Sequence, residues 1–198
     1  MSNIKTVCVF CGSSPGVNPI YIQETNAVGA SLVSNGLGIV YGGGNKGIMG
    51  AIAESVQSAG GKVLGIIPEA MIVGFPEMSL VGETITVPDM HTRKAMMNAK
   101  CEAFVALPGG LGTFEEVLEA MTWSQLGIHA KPIIILNTNG FYEPLRNLID
   151  RGVAEGFILK ENREIAIFVD TAAEVVPAIL SYKVPSGRHS MPWNEKLI

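Results

Sequence analysis

The chain has 198 residues, of which 16% are charged and 47% hydrophobic, and a net charge of −4. That balance supplies no basic field of the kind that draws proteins to nucleic-acid backbones or anionic membranes, so any phosphate must be held by a local site rather than a surface. A charged fraction well below the usual quarter also leaves apolar surface for a partner subunit, and a homodimer is expected.

The N-terminus MSNIKTVCVFCGSS has no basic segment leading into an apolar core and a small-residue cleavage site, which predicts a cytoplasmic protein. The longest uncharged stretch, Thr25 to Asn45, is interrupted by Ser, Asn and repeated Gly, so no membrane span is expected. Short β-rich apolar runs at Thr6 to Phe10, Gly38 to Tyr41, Lys62 to Ile67, Thr84 to Val87, Ala103 to Leu107, Pro132 to Leu136 and Ile165 to Val169 predict seven strands. Segments with helical spacing fall between and after them, at Pro19 to Ser34, Ile48 to Ala59, Met90 to Ala99, Thr113 to Gln125, Phe141 to Arg151 and Thr171 to Tyr182. Strand and helix alternate, so the expected fold is α/β. It is read as a single Rossmann-like, doubly wound domain over residues 1–183, with a mainly parallel sheet and helices on both faces. The final stretch, residues 184–198, lacks periodicity and predicts a tail extended over the surface or over a neighbouring subunit.

Ligands of such folds bind beyond the carboxyl ends of the strands, near the point where strand order reverses. Three of those ends are rich in small residues: CGSSPG (Cys11 to Gly16), YGGGNKGIMG (Tyr41 to Gly50) and LPGGLGT (Leu107 to Thr113). Each precedes a helix whose first N–H groups and dipole favour an anion, and glycine lets the backbone approach a phosphate closely. Together they predict a phosphorylated ligand. Its expected contacts are Ser13, Ser14, Gly42, Gly43, Gly44, Gly109, Gly110, Leu111, Gly112 and Thr113. Gly42, Gly44 and Gly47 also fit the G-x-G-x-x-G of dinucleotide binders, but the acidic residue expected at the end of the next strand comes late, at Glu69.

PGGLGTFEE sets Glu115 and Glu116 on the first turn of the helix that the third loop opens. Acids there either complement the helix dipole or take part in the chemistry, since a carboxylate beside a phosphate is otherwise repelled. MHTRK places Arg93 and Lys94 just ahead of the strand feeding that loop, and a guanidinium forks well onto phosphate or carboxylate oxygens. Cys8 and Cys11 form a C-x-x-C inside a strand, where they point to opposite faces, and no metal site is expected. His91, His129 and His189 lack ligand spacing, and structural roles are expected for them. Met90, Met96, Met97 and Met121, with Trp123 and Leu126, follow helical spacing and predict core packing, a subunit seam or a pocket wall.

PGGLGTFEE, which fits PGGxGTxxE, together with MHTRK and YGGGNKGIMG, resembles the cytokinin riboside 5′-monophosphate phosphoribohydrolases. These are the LOG proteins, long labelled lysine decarboxylases. The likeness runs from about Val7 to about Thr171. It implies a Rossmann-like homodimer without cofactor or metal that hydrolyses the N-glycosidic bond of cytokinin riboside 5′-monophosphates, and of AMP, to free base and ribose 5-phosphate. It further implies Arg93 and Glu116 as the catalytic pair, and Lys94, the run Gly110 to Glu116 (Glu115 included) and Thr122 as substrate contacts. The family's additional substrate-binding Glu has no clean counterpart in Met71 to Gly82, where Glu77 is the candidate. Bond cleavage builds positive charge at the anomeric carbon, which Glu116 would stabilise, or it would deprotonate the attacking water. A guanidinium keeps its protons, so Arg93 is assigned to orienting Glu116 and binding substrate. One rival reading is a non-catalytic nucleotide or molybdenum-cofactor carrier of similar fold. Another is a pyridoxal-dependent decarboxylase, which needs a Schiff-base lysine from Lys46, Lys94 or Lys100.

Overall fold

In the computed structural model, which describes residues 4–77 and 79–193, seven strands form one sheet. They are β1 (Thr6–Phe10), β2 (Gly38–Tyr41), β3 (Val63–Pro68), β4 (Glu83–Val87), β5 (Ala103–Ala106), β6 (Ile133–Leu136) and β7 (Ile167–Val169). All six pairings are parallel, in the order β4-β3-β2-β1-β5-β6-β7. Seven α-helices connect or follow the strands: α1 (Ile20–Ser34), α2 (Gly47–Ser58), α3 (Glu69–Gly74), α4 (Met90–Ala99), α5 (Leu111–Gln125), α6 (Glu143–Ala154) and α7 (Ala172–Ser181).

Alternation along β1 shows why two helix layers are needed. Val7, Val9 and Cys11 face a core shared with Val28 and Leu32 of α1, Ile52 and Val56 of α2 and Val175 of α7. Cys8 and Phe10 face the opposite core, with Met97 of α4, and Val117 and Ala120 of α5. Both faces of the central strands are therefore apolar, the pattern of a buried parallel sheet.

Three differences from the sequence reading have physical causes. The run beginning at Ile165 is not strand throughout, because Lys160–Ile165 forms a 3-10 segment that buries Ile165 before the chain pairs at Ile167. The helix expected from Phe141 begins at Glu143, because Thr138–Gly140 makes a 3-10 turn first and Pro144 lies in the first turn. Helix α3 escaped the pattern altogether, since its six residues make fewer than two turns and none of them is buried. Met97 is 2% exposed and belongs to the core, so of the methionine group it cannot serve a subunit seam.

The tail, as far as residue 193, runs over the C-terminal end of α5; residues 194–198 of the expected tail, like residues 1–3 of the expected domain, lie outside the described residues. Among the described residues no helix is long and apolar enough to cross a membrane.

Candidate active site

The order of the strands reverses between β1 and β5: from β1 the chain builds outward through β2, β3 and β4, and from β5 it builds the other way. The loops after β1 and β5 therefore part at a crevice, the usual ligand position in open α/β sheets. They also touch, Gly12 N–H donating to Pro108 O at 3.0 Å. A Cβ on Gly109 would lie 2.7 Å from Gly12 N, which explains a glycine at that position. The loop after β2 joins the same cluster, with Met49 N–H donating to Gly12 O at 3.0 Å and Ile48 N–H to Ser14 O at 3.4 Å. Gly47 sits there at φ 59°, against the backbone of Ser13 and Ser14, where a side chain has neither room nor a favourable backbone angle.

Helices α2 and α5 start at this cluster without a side-chain cap, from Lys46 and Gly110. By contrast, Asp89 caps α4 through the Thr92 N–H, and Thr171 and Glu174 form a capping box on α7. The first N–H groups of α5 thus lack both an intrahelical and a side-chain partner, a ready site for an anion. Gly110, Leu111 and Gly112 are exposed, as are Ser13 and Ser14, whereas Thr113 is buried against Gly109.

Arg93 reaches the crevice from α4. Its Nε donates to Ile66 O at 3.1 Å, fixing the guanidinium to the end of β3, and its Nη2 lies against Gly42. Nη1 is 3.6 Å from Glu116 Oε1, with the two side chains only 8% and 10% exposed. Burial pushes the Glu116 carboxyl up to about 7, Arg93 pulls against that shift, and Glu115 adds to it. A carboxyl poised near neutrality beside a fixed cation can exchange a proton and answer positive charge that develops above it.

Lys94 and Glu115, expected as substrate contacts, are engaged with each other: Lys94 Nζ is 2.6 Å from Glu115 Oε1 and 2.7 Å from Glu119 Oε2. Partial burial works against the ammonium's charge, but the two carboxylates outweigh it and raise the pKa of Lys94. Glu119 was missed in the sequence, although its i+4 spacing from Glu115 put both on one helix face. Glu119, Glu116 and Lys94 line a small pocket with Phe10, Phe104 and Trp123. Thr122 is exposed one turn beyond Glu119, with its hydroxyl bonded to Leu118 O. Glu77 pairs with Lys46 at 2.9 Å across the exposed rim of the β2 loop. His129 is structural, its Nδ1 accepting from the Lys131 N–H and its Nε2 bonded to Ala120 O. Of the three candidate Schiff-base lysines, Lys46 and Lys94 are thus ion-paired, and Lys100 is exposed beside the amino-terminal edge of the sheet.

A family model described as a possible lysine decarboxylase matches residues 49–179. The chain is 48% identical over 176 residues to the probable cytokinin riboside 5′-monophosphate phosphoribohydrolase LOGL1 of Oryza sativa subsp. japonica, covering 89% of this chain and 79% of that protein. It is 42% identical over 196 residues to the LOG phosphoribohydrolase of the same organism, covering 99% and 81%. Against LOG2 of Arabidopsis thaliana the identity is 44% over 181 residues, covering 91% and 85%. Among solved structures, the molybdenum cofactor binding protein of the phototrophic bacterium Rippkaea orientalis matches with a TM-score of 0.66 at 19% identity, covering 91% of this chain and 98% of that one. The Moco carrier protein of Chlamydomonas reinhardtii gives a TM-score of 0.67 at 17% identity, covering 90% and 96%. These two likenesses establish a shared fold.

Proposed function

The chain belongs to the LOG family of cytokinin riboside 5′-monophosphate phosphoribohydrolases, and from that premise we propose that it hydrolyses the N-glycosidic bond of N6-substituted adenosine 5′-monophosphates, and of AMP itself. Water adds to C1′ and gives up a proton to Glu116, the C1′–N9 bond breaks with its electrons going to the base, which takes up a proton from solvent as Glu116 returns its own, and the products are the free base and ribose 5-phosphate. The observation that carries this reading is the Arg93–Glu116 pair, nearly buried and brought from two helices to the crevice where the glycine loops meet.

In this reading the 5′-phosphate sits on the uncapped N-terminus of α5, at Gly109 to Thr113, while Ser13, Ser14 and Gly42 to Gly44 border the rest of the nucleotide and Thr122 contacts it from the second turn beyond Glu116. Anchoring the phosphate fixes C1′ over Glu116. Its carboxylate takes the proton of the attacking water and stabilises charge at C1′, and Arg93, held by Ile66 O, keeps that carboxylate aimed. Two copies associate through the exposed parts of α4 and α5, where Met90 and Leu118 are 41% and 43% exposed. The protein acts in the cytoplasm and neither binds nucleic acid nor needs a cofactor.

Incubation with a panel of 5′-monophosphates and their nucleosides, with chromatography of the released base, tests the activity. Base release from the monophosphates and at least tenfold lower kcat/KM for the nucleosides is expected; equal values would refute the phosphate anchor. Light scattering at micromolar concentration should give a dimer mass, and a monomer would remove the seam.

A further inference from the structure

We propose that Glu119, with Glu115, is a positioning residue for the reaction: the two carboxylates hold Lys94 across the seam between α4 and α5, and that three-way ion pair sets the charge felt by Glu116. This rests on the reading of Glu116 as the carboxylate that must be ionised to work. Lys94 is next in sequence to Arg93, and Glu115 is next to Glu116, so the bridge ties together the two helices that bring the catalytic pair to 3.6 Å. The bridge is partly shielded: Lys94 and Glu119 are 18% and 26% exposed, and both line the pocket beside Glu116 whose other walls include Phe10, Phe104 and Trp123. In such surroundings a charge acts over a longer range than it does in water. Lys94 commits its ammonium to two carboxylates at 2.6 and 2.7 Å, so its role is internal rather than that of a free phosphate ligand.

The titratable groups electrostatically coupled to Glu116 are Arg93 and Lys94 from α4, Glu115 and Glu119 from its own helix, the thiols of Cys8 and Cys11 from β1 and its extension, and the phenol of Tyr142 before α6. Burial raises the pKa of both thiols and of the phenol, which keeps them neutral in the working range. What remains is two cations against two neighbouring acids. Removing the Glu119 charge leaves Lys94 less neutralised and lowers the pH at which Glu116 ionises. Removing the Lys94 charge exposes Glu116 to two unbalanced acids and raises it.

The test is kcat/KM against pH for a 5′-monophosphate substrate, with KM and melting temperature recorded, in the wild type and in Glu119→Gln, Glu119→Asp, Lys94→Met and Glu116→Gln. The acid limb should move down by roughly 0.5–1 pH unit in Glu119→Gln, up by a similar amount in Lys94→Met, and stay in place in Glu119→Asp. Glu116→Gln should lose turnover at every pH. An unmoved limb in Glu119→Gln, whatever its melting temperature, overturns the proposal, and so does a shift of the same sign in Lys94→Met. Retained turnover in Glu116→Gln overturns the underlying assignment instead. If Lys94→Met does not fold, the isosteric Glu119→Gln and its Asp control decide the matter alone.

Discussion

The two ends of α5 are built on opposite plans. At the C-terminal end the tail satisfies one carbonyl after another: Arg188 Nε donates to Ser124 O at 2.6 Å, His189 N–H to Gln125 O at 2.8 Å and Trp193 Nε1 to Leu126 O at 2.9 Å. Arg188 also bonds His129 O, setting a cation at the negative end of the helix dipole. At the N-terminal end the cap is a glycine without a side chain, Leu111 is 85% exposed, and Glu116 is pushed toward neutrality by its burial. One end is closed by the chain's own groups, and the other leaves its N–H donors uncapped near a perturbed acid. A helix fixed at its far end can present unfinished groups at the near one without fraying.

The change that should break this contrast most is Glu116→Gln. If Glu116 acts on the transition state, kcat falls by roughly 10² or more, about 2.7 kcal/mol, while substrate affinity holds and the melting temperature does not fall. If Glu116 only complements the helix dipole, turnover survives and stability drops by under about 1 kcal/mol. Assay of base release and a melting curve on this single variant separate the two.

A smaller effect is expected at the loop that forms the open end. Gly109→Ala puts a Cβ 2.7 Å from Gly12 N and from Thr113 Cβ, so the β1 and β5 loops must part. KM for the monophosphate should rise about tenfold, roughly 1.4 kcal/mol, with little change for the nucleoside. An equal rise for both would place the phosphate elsewhere.

How far this contrast was visible in advance differs between its halves. The open end was legible: PGGLGT announces a helix start that needs glycine, and Arg93 and Glu116 stood out by motif. The closed end was not, because VPSGRHSMPW has no periodicity and a tail's docking partner is a tertiary fact. Six of the seven strands could be read to within a residue, since an apolar run buried on both sides marks itself; the order that puts β1 beside β5 could not, because parallel pairing leaves no local trace. Glu119 was overlooked because an acid on a helix face reads as solvated until the lysine opposite it is known.

The closed end can be loosened independently. Arg188→Ala leaves the Ser124 and His129 carbonyls without their donor and removes a cation from the dipole's negative end, which should cost about 1–2 kcal/mol and lower Tm by a few degrees. Turnover per folded molecule should stay within about twofold of wild type. A collapse in kcat at unchanged KM would mean that the two ends are mechanically coupled.

In the wild type, the net pH slope of stability from Glu116 and His129 should nearly vanish. Glu116, near the open end, has its pKa raised to about 7, so between the ordinary carboxylate range and pH 7 the folded state binds more protons than the unfolded one and stability falls as pH rises. His129, near the closed end, has its pKa lowered to about 4 by burial, so between pH 6.5 and 4 the unfolded state binds more protons and stability falls as pH drops. Over roughly pH 4.5 to 6.5 the two contributions have opposite signs, each up to about 1.4 kcal/mol per pH unit, and cancel. Glu116→Gln removes one of them. Relative to wild type, that variant should therefore gain stability steadily from about pH 4.5 to 7 and hold the gain above 7, as read from denaturant midpoints across the pH series. A constant difference between variant and wild type would mean that Glu116 titrates in the folded protein where it does in the unfolded chain, and the poised carboxyl on which the open end depends would be lost.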